Sequence, residues 1–256
     1  ISNNIYILDE NLNLVGKLEG LAIGENLHSA RFMGRKGYLV TFKKVDPLFV
    51  IDLSNPKKPK VLGKLKIPGY SDYLHPINDK LLLGIGKNTV EADEGDFAWY
   101  QGLKIAIFDV SDYNNPKELS YLEIGDRGTE SEVLTNHKAF LYDERNNLIV
   151  LPVLLAEIDE FKYSGNVHKW EYGDYTFQGV YVVQITKDNK LRVKGRITHF
   201  EDDQYFKEAR YYYSPKGEEI KRALYINDYL YTISDKIVKI NRINDLAEVK
   251  KIVLLN

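Results

Sequence analysis

The stretch LKIAIFDVSDYNNPKELSYLEIGD, residues 103–126, decides how this chain is read. Leu103–Val110 is rich in branched and aromatic residues, as strands are. The polar run SDYNNP that follows has the composition of a turn, and Asp109 stands where an Asp side chain bonds the backbone of the turn after it. A second strand-like segment then begins at Leu119. The same succession occurs at residues 48–69, LFVIDLSNPKKPKVLGKLKIPG, with Asp52 in the place of Asp109.

Working outward, two further segments precede each such pair. The first reads SARFM from Ser29, DYLHPI from Asp72, HKAFLY from His137 and RALYI from Arg222. The second reads YLVTF from Tyr38, LLLGIG from Leu81, LIVLPV from Leu148 and YLYTIS from Tyr229. Third segments GVYVVQITKDN from Gly179 and KIVKINRIND from Lys236, with fourth segments LRVKGRITHF from Leu191 and VKKIVLL from Val249, complete the later units. A four-part unit in fixed order, joined by hairpin turns and repeated four times, predicts an all-β chain of four-stranded antiparallel propeller blades. A β-sandwich would show alternation and turns but no such unit. Helix is nearly absent, because no window sustains the helical apolar period between caps.

The expected blades span about 27–69, 70–125, 126–200 and 220–256. A half blade, 1–26, precedes them: NIYILD from Asn4 and LNLVGKLEG after it match the third and fourth segments alone. Four complete blades and a half predict a fragment of a larger propeller, with the N-terminal remainder of a longer precursor as partner. Ile5, Tyr6, Ile7 and Val15 are expected to pack on the Ser29–Phe42 hairpin; closure onto Val249–Leu255 is the competing arrangement.

Composition narrows function more than it assigns one. A formal net charge of -2 argues against a nucleic-acid partner. The absence of Cys removes disulfides, thiolate ligands and thiol nucleophiles. No apolar run reaches membrane-span length, and ISNNIYILDENLNL lacks the regions of a signal peptide. A charged fraction of 28% with one Met suits a thermophile.

Several strings, RFMGRKGYLVTF (31–42), residues 45–76, GLKIAIFDVSDYNNPKEL (102–119), IGDRGTESEVLTNHKAFLYD (124–143), FQGVYV and GRITH, resemble secreted archaeal and bacterial proteins with a C-terminal β-propeller domain, distantly related to WD40 repeats. The resemblance implies secretion or cell-surface display and a longer precursor. It implies no catalytic residues. The tyrosine-rich region 201–219 is longer than the family pattern.

Blade geometry places the long insertions, 87–101, 126–136, 156–178 and 201–221, on one face, where binding usually resides. Trp99, Tyr100, Trp170, Tyr172 and Tyr175 are the expected ligand-binding residues there, for a protein, peptide or glycan. Asp72, His137 and Arg222, aligned on first strands with Ser29, would form a polar ring at the channel mouth or cap turns. Asp126, Glu130 and His137 are weak metal candidates, and EADEGDF from Glu91 offers oxygen ligands without a calcium-hand register. Calcium or another divalent ion is the cofactor such groups could hold. His75 aligns with core aromatics and reads as packed. No G-x-S-x-G, P-loop, H-E-x-x-H or dinucleotide motif is present. The leading expectation is a non-catalytic binding module; the alternative is a metal-dependent hydrolase or oxidoreductase at the channel mouth.

Overall fold

The computed structural model describes all residues except 44, 45, 94, 96, 211, 212, 255 and 256. Two strands, β1 (Asn3–Leu8) and β2 (Leu14–Leu21), form a hairpin sheet. Four antiparallel sheets follow in chain order. The first holds β3 (Asn26–Met33), β4 (Lys36–Phe42), β5 (Asp46–Asp52) and β6 (Lys60–Ile67), and the second β7 (Tyr70–Pro76), β8 (Leu81–Glu91), β9 (Ala98–Asp109) and β10 (Lys117–Ile124). The third holds β11 (Leu141–Asp143), β12 (Leu148–Glu157), β13 (Asp174–Ile185) and β14 (Leu191–Ile197), and the fourth β15 (Arg222–Ile226), β16 (Tyr229–Ile233), β17 (Ile237–Arg242) and β18 (Glu248–Val253). Sequential neighbours pair throughout, giving the propeller-blade arrangement.

Two compact units emerge: Ile1–Tyr100 with Lys104–Tyr121, and Gln101–Leu103 with Leu122–Asn256. In the first, Tyr38, Val40, Leu48 and Val50 pack with Leu74, Leu82, Ala106 and Phe108. In the second, Leu148, Val150, Val180 and Val182 pack with Ile220, Leu230 and Ile243. The middle strands of the sheets are the buried ones, which is why β4, β8, β9, β12 and β13 carry long apolar runs. Outer strands such as β10 alternate instead.

The turns after the third strands are fixed as their Asp residues require. Asp52 accepts from the Ser54 N–H at 3.1 Å, and Asp109 from the Ser111 N–H at 2.8 Å. Hydrogen bonds from the side chain of the same Ser, then from Lys36 at Asp52, and these backbone bonds hold both carboxyls below the usual range.

The β1–β2 hairpin lies on the first blade, with Ile5 and Leu21 in one cluster with Leu39, Phe49 and Ile51, and Ile7 packed beside it. Gly16 permits the close approach: an added Cβ would sit 2.1 Å from the Pro56 carbonyl oxygen. Tyr6 differs from expectation, being exposed and donating to Glu19 at 2.9 Å.

Two further expectations need correction. His137 does not stand on a first strand: Glu132–Leu134 and His137–Ala139 are 3-10 turns, and β11 is three residues long. The pairing Leu141↔Val150, continued backward, would set Ala139 opposite Pro152, which has no N–H to give. The chain instead covers that edge with Ser131, whose hydroxyl donates to the Pro152 carbonyl at 2.6 Å, and with an isolated bridge between Glu130 and Leu154. Second, much of the 87–101 insertion is strand. β8 runs on to Glu91 and β9 starts at Ala98, so Trp99 and Tyr100 are strand residues, as their β propensity favours.

Candidate binding site

The 126–130 turn and the 158–173 connection build a concavity of the second unit. Thr129 is stitched to the end of β12: its hydroxyl donates to the Ala156 carbonyl at 3.1 Å and accepts from the Ala156 N–H at 3.0 Å. The Ile158 N–H donates to the Asp126 carboxylate at 2.7 Å, which starts the long connection in a fixed direction. Gly128, at φ +108°, lets the Tyr172 ring come close; a Cβ there would be 3.3 Å from Cδ1 of the ring. Asp159 caps the 3-10 turn Glu160–Tyr163 by accepting from the Phe161 N–H. Phe161 on that turn is 96% exposed.

Trp170, Tyr172, Tyr175, Tyr163, Lys162 and Arg210 line a cleft of about 610 Å³ together with Glu157, Asp159, Glu171 and Asp174. The cleft continues as a groove toward Phe206 and Lys207 of the short helix α1 (Gln204–Ala209). Its aromatic walls are backed. His168 stacks on Trp170 with centroids 4.4 Å apart and planes 5° from parallel, while the Arg127 guanidinium lies 4.3 Å from the Tyr172 ring centre and donates to its hydroxyl at 2.9 Å. Backed rings lose little freedom when a ligand lands on them.

Among the described residues the cleft's carboxylates include one held in an ion pair, while the others bond neutral donors. Lys162 meets Asp174 at 2.6 Å, and that bond raises the ammonium pKa. Glu157 accepts from Thr176 Oγ1 at 2.5 Å, and Glu171 from Tyr163 at 3.3 Å. Burial pushes up the phenols of Tyr163 and Tyr175, leaving both as hydrogen-bond donors at neutral pH.

A family model described as a beta propeller domain matches residues 1–246. The chain belongs to the beta propeller domain family. An uncharacterized protein of Methanocaldococcus jannaschii is 40% identical over 252 residues, covering 98% of this chain and 32% of its own length. An uncharacterized protein of Archaeoglobus fulgidus is 33% identical over the same shares. This chain thus spans about a third of the length of these curated relatives. Among solved structures, Citrobacter koseri AztD matches at 12% identity and a TM-score of 0.47, over 98% of this chain and 56% of that one. The Cps50 (Swd1) beta-propeller domain of Myceliophteria thermophila matches at 11% and 0.36, over 98% and 80%.

Of the five aromatic residues expected on the propeller's loop face, Trp170, Tyr172 and Tyr175 come together in the cleft. Trp99 and Tyr100 belong to the first unit, where Tyr100 packs on Phe42 and Tyr70, and Trp99 on Phe97. In that unit Asp72 is held by His28 Nδ1 at 2.9 Å. In the second, Arg222 opens β15 and His137 opens a 3-10 turn. Asp126 and Glu130 both serve the 126–130 turn, Asp126 through its carboxylate and Glu130 through its backbone. Among the described residues no three His, Asp or Glu side chains converge closely enough to hold a metal ion. Glu94 and Asp96 of the EADEGDF cluster lie outside the described residues. His75 bonds the Tyr73 hydroxyl at 3.0 Å, and burial lowers its pKa to about 4.

Lys162, His168, Asp174 and Arg210 were not singled out by the sequence. The alternating charges of EIDEFKY, residues 157–163, were the available signal for Lys162. Arg210 had none, since it reaches the cleft from an insertion notable only for length and tyrosines.

Proposed function

We propose that this propeller segment is a non-catalytic binding module, secreted or displayed at the cell surface, that holds a protein, peptide or glycan in the cleft of its second unit. The observation that carries the reading is the convergence of Trp170, Tyr172 and Tyr175, backed by His168 and Arg127, around one cleft. Such rigid amphipathic rings are the residues on which binding energy concentrates. Secretion or display is supported by the family resemblance of the sequence. No helix among the described residues is long and apolar enough to cross a membrane.

The test is capture from a glycan array and a surface-protein extract with wild type, Trp170→Ala and Trp99→Ala. A partner held at least tenfold more weakly by Trp170→Ala and equally by Trp99→Ala is expected. Equal retention by Trp170→Ala sinks the placement. We also propose that strands from the remainder of a longer polypeptide pair with the edge of β1, which has β2 as its sheet neighbour on the other side. Hydrogen exchange of β1 amides as fast in a full-length relative as in this segment would refute that.

A further inference from the structure

The lining of the cleft carries both signs of charge. Glu157, Asp159, Glu171 and Asp174 stand against Lys162 and Arg210, so the balance is negative, and among the described residues only Asp174 of the four is held in an ion pair. Glu157, Asp159 and Glu171 each accept from one neutral donor: Thr176 Oγ1, the Phe161 N–H and the Tyr163 hydroxyl. Each such bond engages one carboxylate oxygen and leaves the other with no described donor. Donors line the same walls. Arg210 is exposed, and the Tyr175 hydroxyl, which burial keeps protonated at neutral pH, bonds nothing among the described residues.

This mixture selects against a charged ligand of either sign. An anion would meet the negative balance of the lining. A cation would find a guanidinium already seated on the aromatic wall, since Arg127 lies 4.3 Å from the Tyr172 ring centre, and would meet Lys162 and Arg210 as well. A neutral ligand that both donates and accepts uses the two sets at once. Its donors reach carboxylate oxygens while its acceptors reach Arg210 and the Tyr175 hydroxyl, and bonds to ionised groups are the stronger kind.

We propose that the cleft binds an uncharged glycan, a chain of neutral hexose rings, with one ring stacked on Trp170 and its hydroxyls bonded to the carboxylates around it. This deepens the binding-module reading and rests on it. A pyranose ring has a flat C–H face bordered by hydroxyls. The Trp170 indole, 44% exposed and stacked on His168, offers a flat apolar surface in the same cleft as Asp159 and Glu171. Adjacent hydroxyls of one ring can donate together to the two oxygens of one carboxylate. An extended peptide instead presents its N–H groups on a given side only once every two residues, roughly 7 Å apart, too sparsely for carboxylates crowded into one cleft. The site also has length: the groove toward Phe206 shares Glu157, Asp159, Lys162, Asp174, Tyr175 and Arg210 with the cleft, so a chain of rings can run from one into the other.

Calorimetric titration with neutral tetrasaccharides of glucose, mannose and galactose, alongside an oligogalacturonate and an oligolysine peptide, tests this. At least one neutral tetrasaccharide should bind at least tenfold more tightly than both charged probes, with an affinity that changes less than twofold between about 0.05 and 0.5 M salt. Trp170→Ala should lose at least tenfold and Tyr175→Phe, which removes only the hydroxyl, at least threefold; circular dichroism and the melting temperature establish that both variants are folded. Tighter binding of either charged probe, a strongly salt-dependent affinity, no neutral tetrasaccharide bound at about 10 mM, or an unaffected Tyr175→Phe would each overturn the proposal. A charged probe whose binding needs Trp170 leaves the cleft reading standing and defeats this inference alone. A neutral sugar indifferent to Trp170→Ala defeats the cleft as its place, and the aromatic reading with it.

Discussion

Acidification should destabilise this chain through His199, and the size of the effect can be worked out from the residue's surroundings. His199 is 1% exposed, with Nδ1 3.0 Å from Ser234 Oγ and Nε2 2.9 Å from Thr232 Oγ1. Burial, then the nearby charges of Lys239 and Lys251, lower its pKa from 6.5 to about 4. In the unfolded chain the imidazole returns to its ordinary value, so between these limits the unfolded state binds the proton that the folded state refuses. The contribution is thus fully present above about pH 6.5, falls as pH drops through the window, and is gone below about pH 4. A shift of this size corresponds to about 3 kcal/mol at roughly 1.4 kcal/mol per unit. Urea unfolding of wild type and His199→Asn at half-unit steps from pH 7.5 to 3.5 isolates it, because other titrating groups cancel in the difference. The stability advantage of wild type should shrink by about 3 kcal/mol on acidification. An NMR titration of the imidazole C–H signals gives the direct check: a midpoint at or above 6.5 would refute the reasoning, as would a difference that does not change with pH.

Phe108, 1% exposed between Leu74, Leu82 and the strands of the first blade, should cost about 3–5 kcal/mol as Phe108→Ala in chemical denaturation. Gln178 is a buried amide that acts as a piece of strand, donating to the Ile220 carbonyl at 3.1 Å and accepting from the Ile220 N–H at 2.9 Å. Gln178→Ala strands both groups and should cost about 2–6 kcal/mol, at roughly 1–3 for each unsatisfied group; a loss under about 1 kcal/mol would show that water replaces the amide. Gly128→Ala should lower the melting temperature and weaken ligand capture together, because it strains a φ of +108° and displaces the Tyr172 ring. Unchanged capture would separate the turn from the site.

Much of the fold was legible because blade strands leave two kinds of trace. Middle strands, covered on both sides, are written as runs such as LLLGIG and LIVLPVLLA, and the third-to-fourth turn is marked by an Asp that binds its own turn, as Asp52 and Asp109 do. The third blade was harder to read for a local reason. Pro152 sits inside an otherwise ideal strand sequence, and its missing N–H shortens the partner strand by half, turning HKAFLY from an expected strand into a turn followed by three strand residues. The Pro was visible in the sequence. Its consequence depended on which edge of β12 it faced, and that is a matter of pairing rather than of pattern.

The site was legible only as far as its aromatic residues announce themselves. Tyr172 and Trp170 could be singled out because large rings in a long polar connection have few structural uses, and they do meet in one cleft. Trp99 and Tyr100, chosen by the same reasoning, fall on β9, because a residue that favours binding surfaces also favours strands, and composition cannot separate the two. Charged residues present the opposite difficulty. Lys162, Lys207 and Arg210 are alike in sequence, three cations among many, yet two are neutralised by Asp174 and Asp203 and one is not. Whether a cation sits within ion-pair distance of an anion is a property of distances across three separate segments. For that reason nothing in the residues around Arg210 marks it as part of the cleft lining where the fold places it.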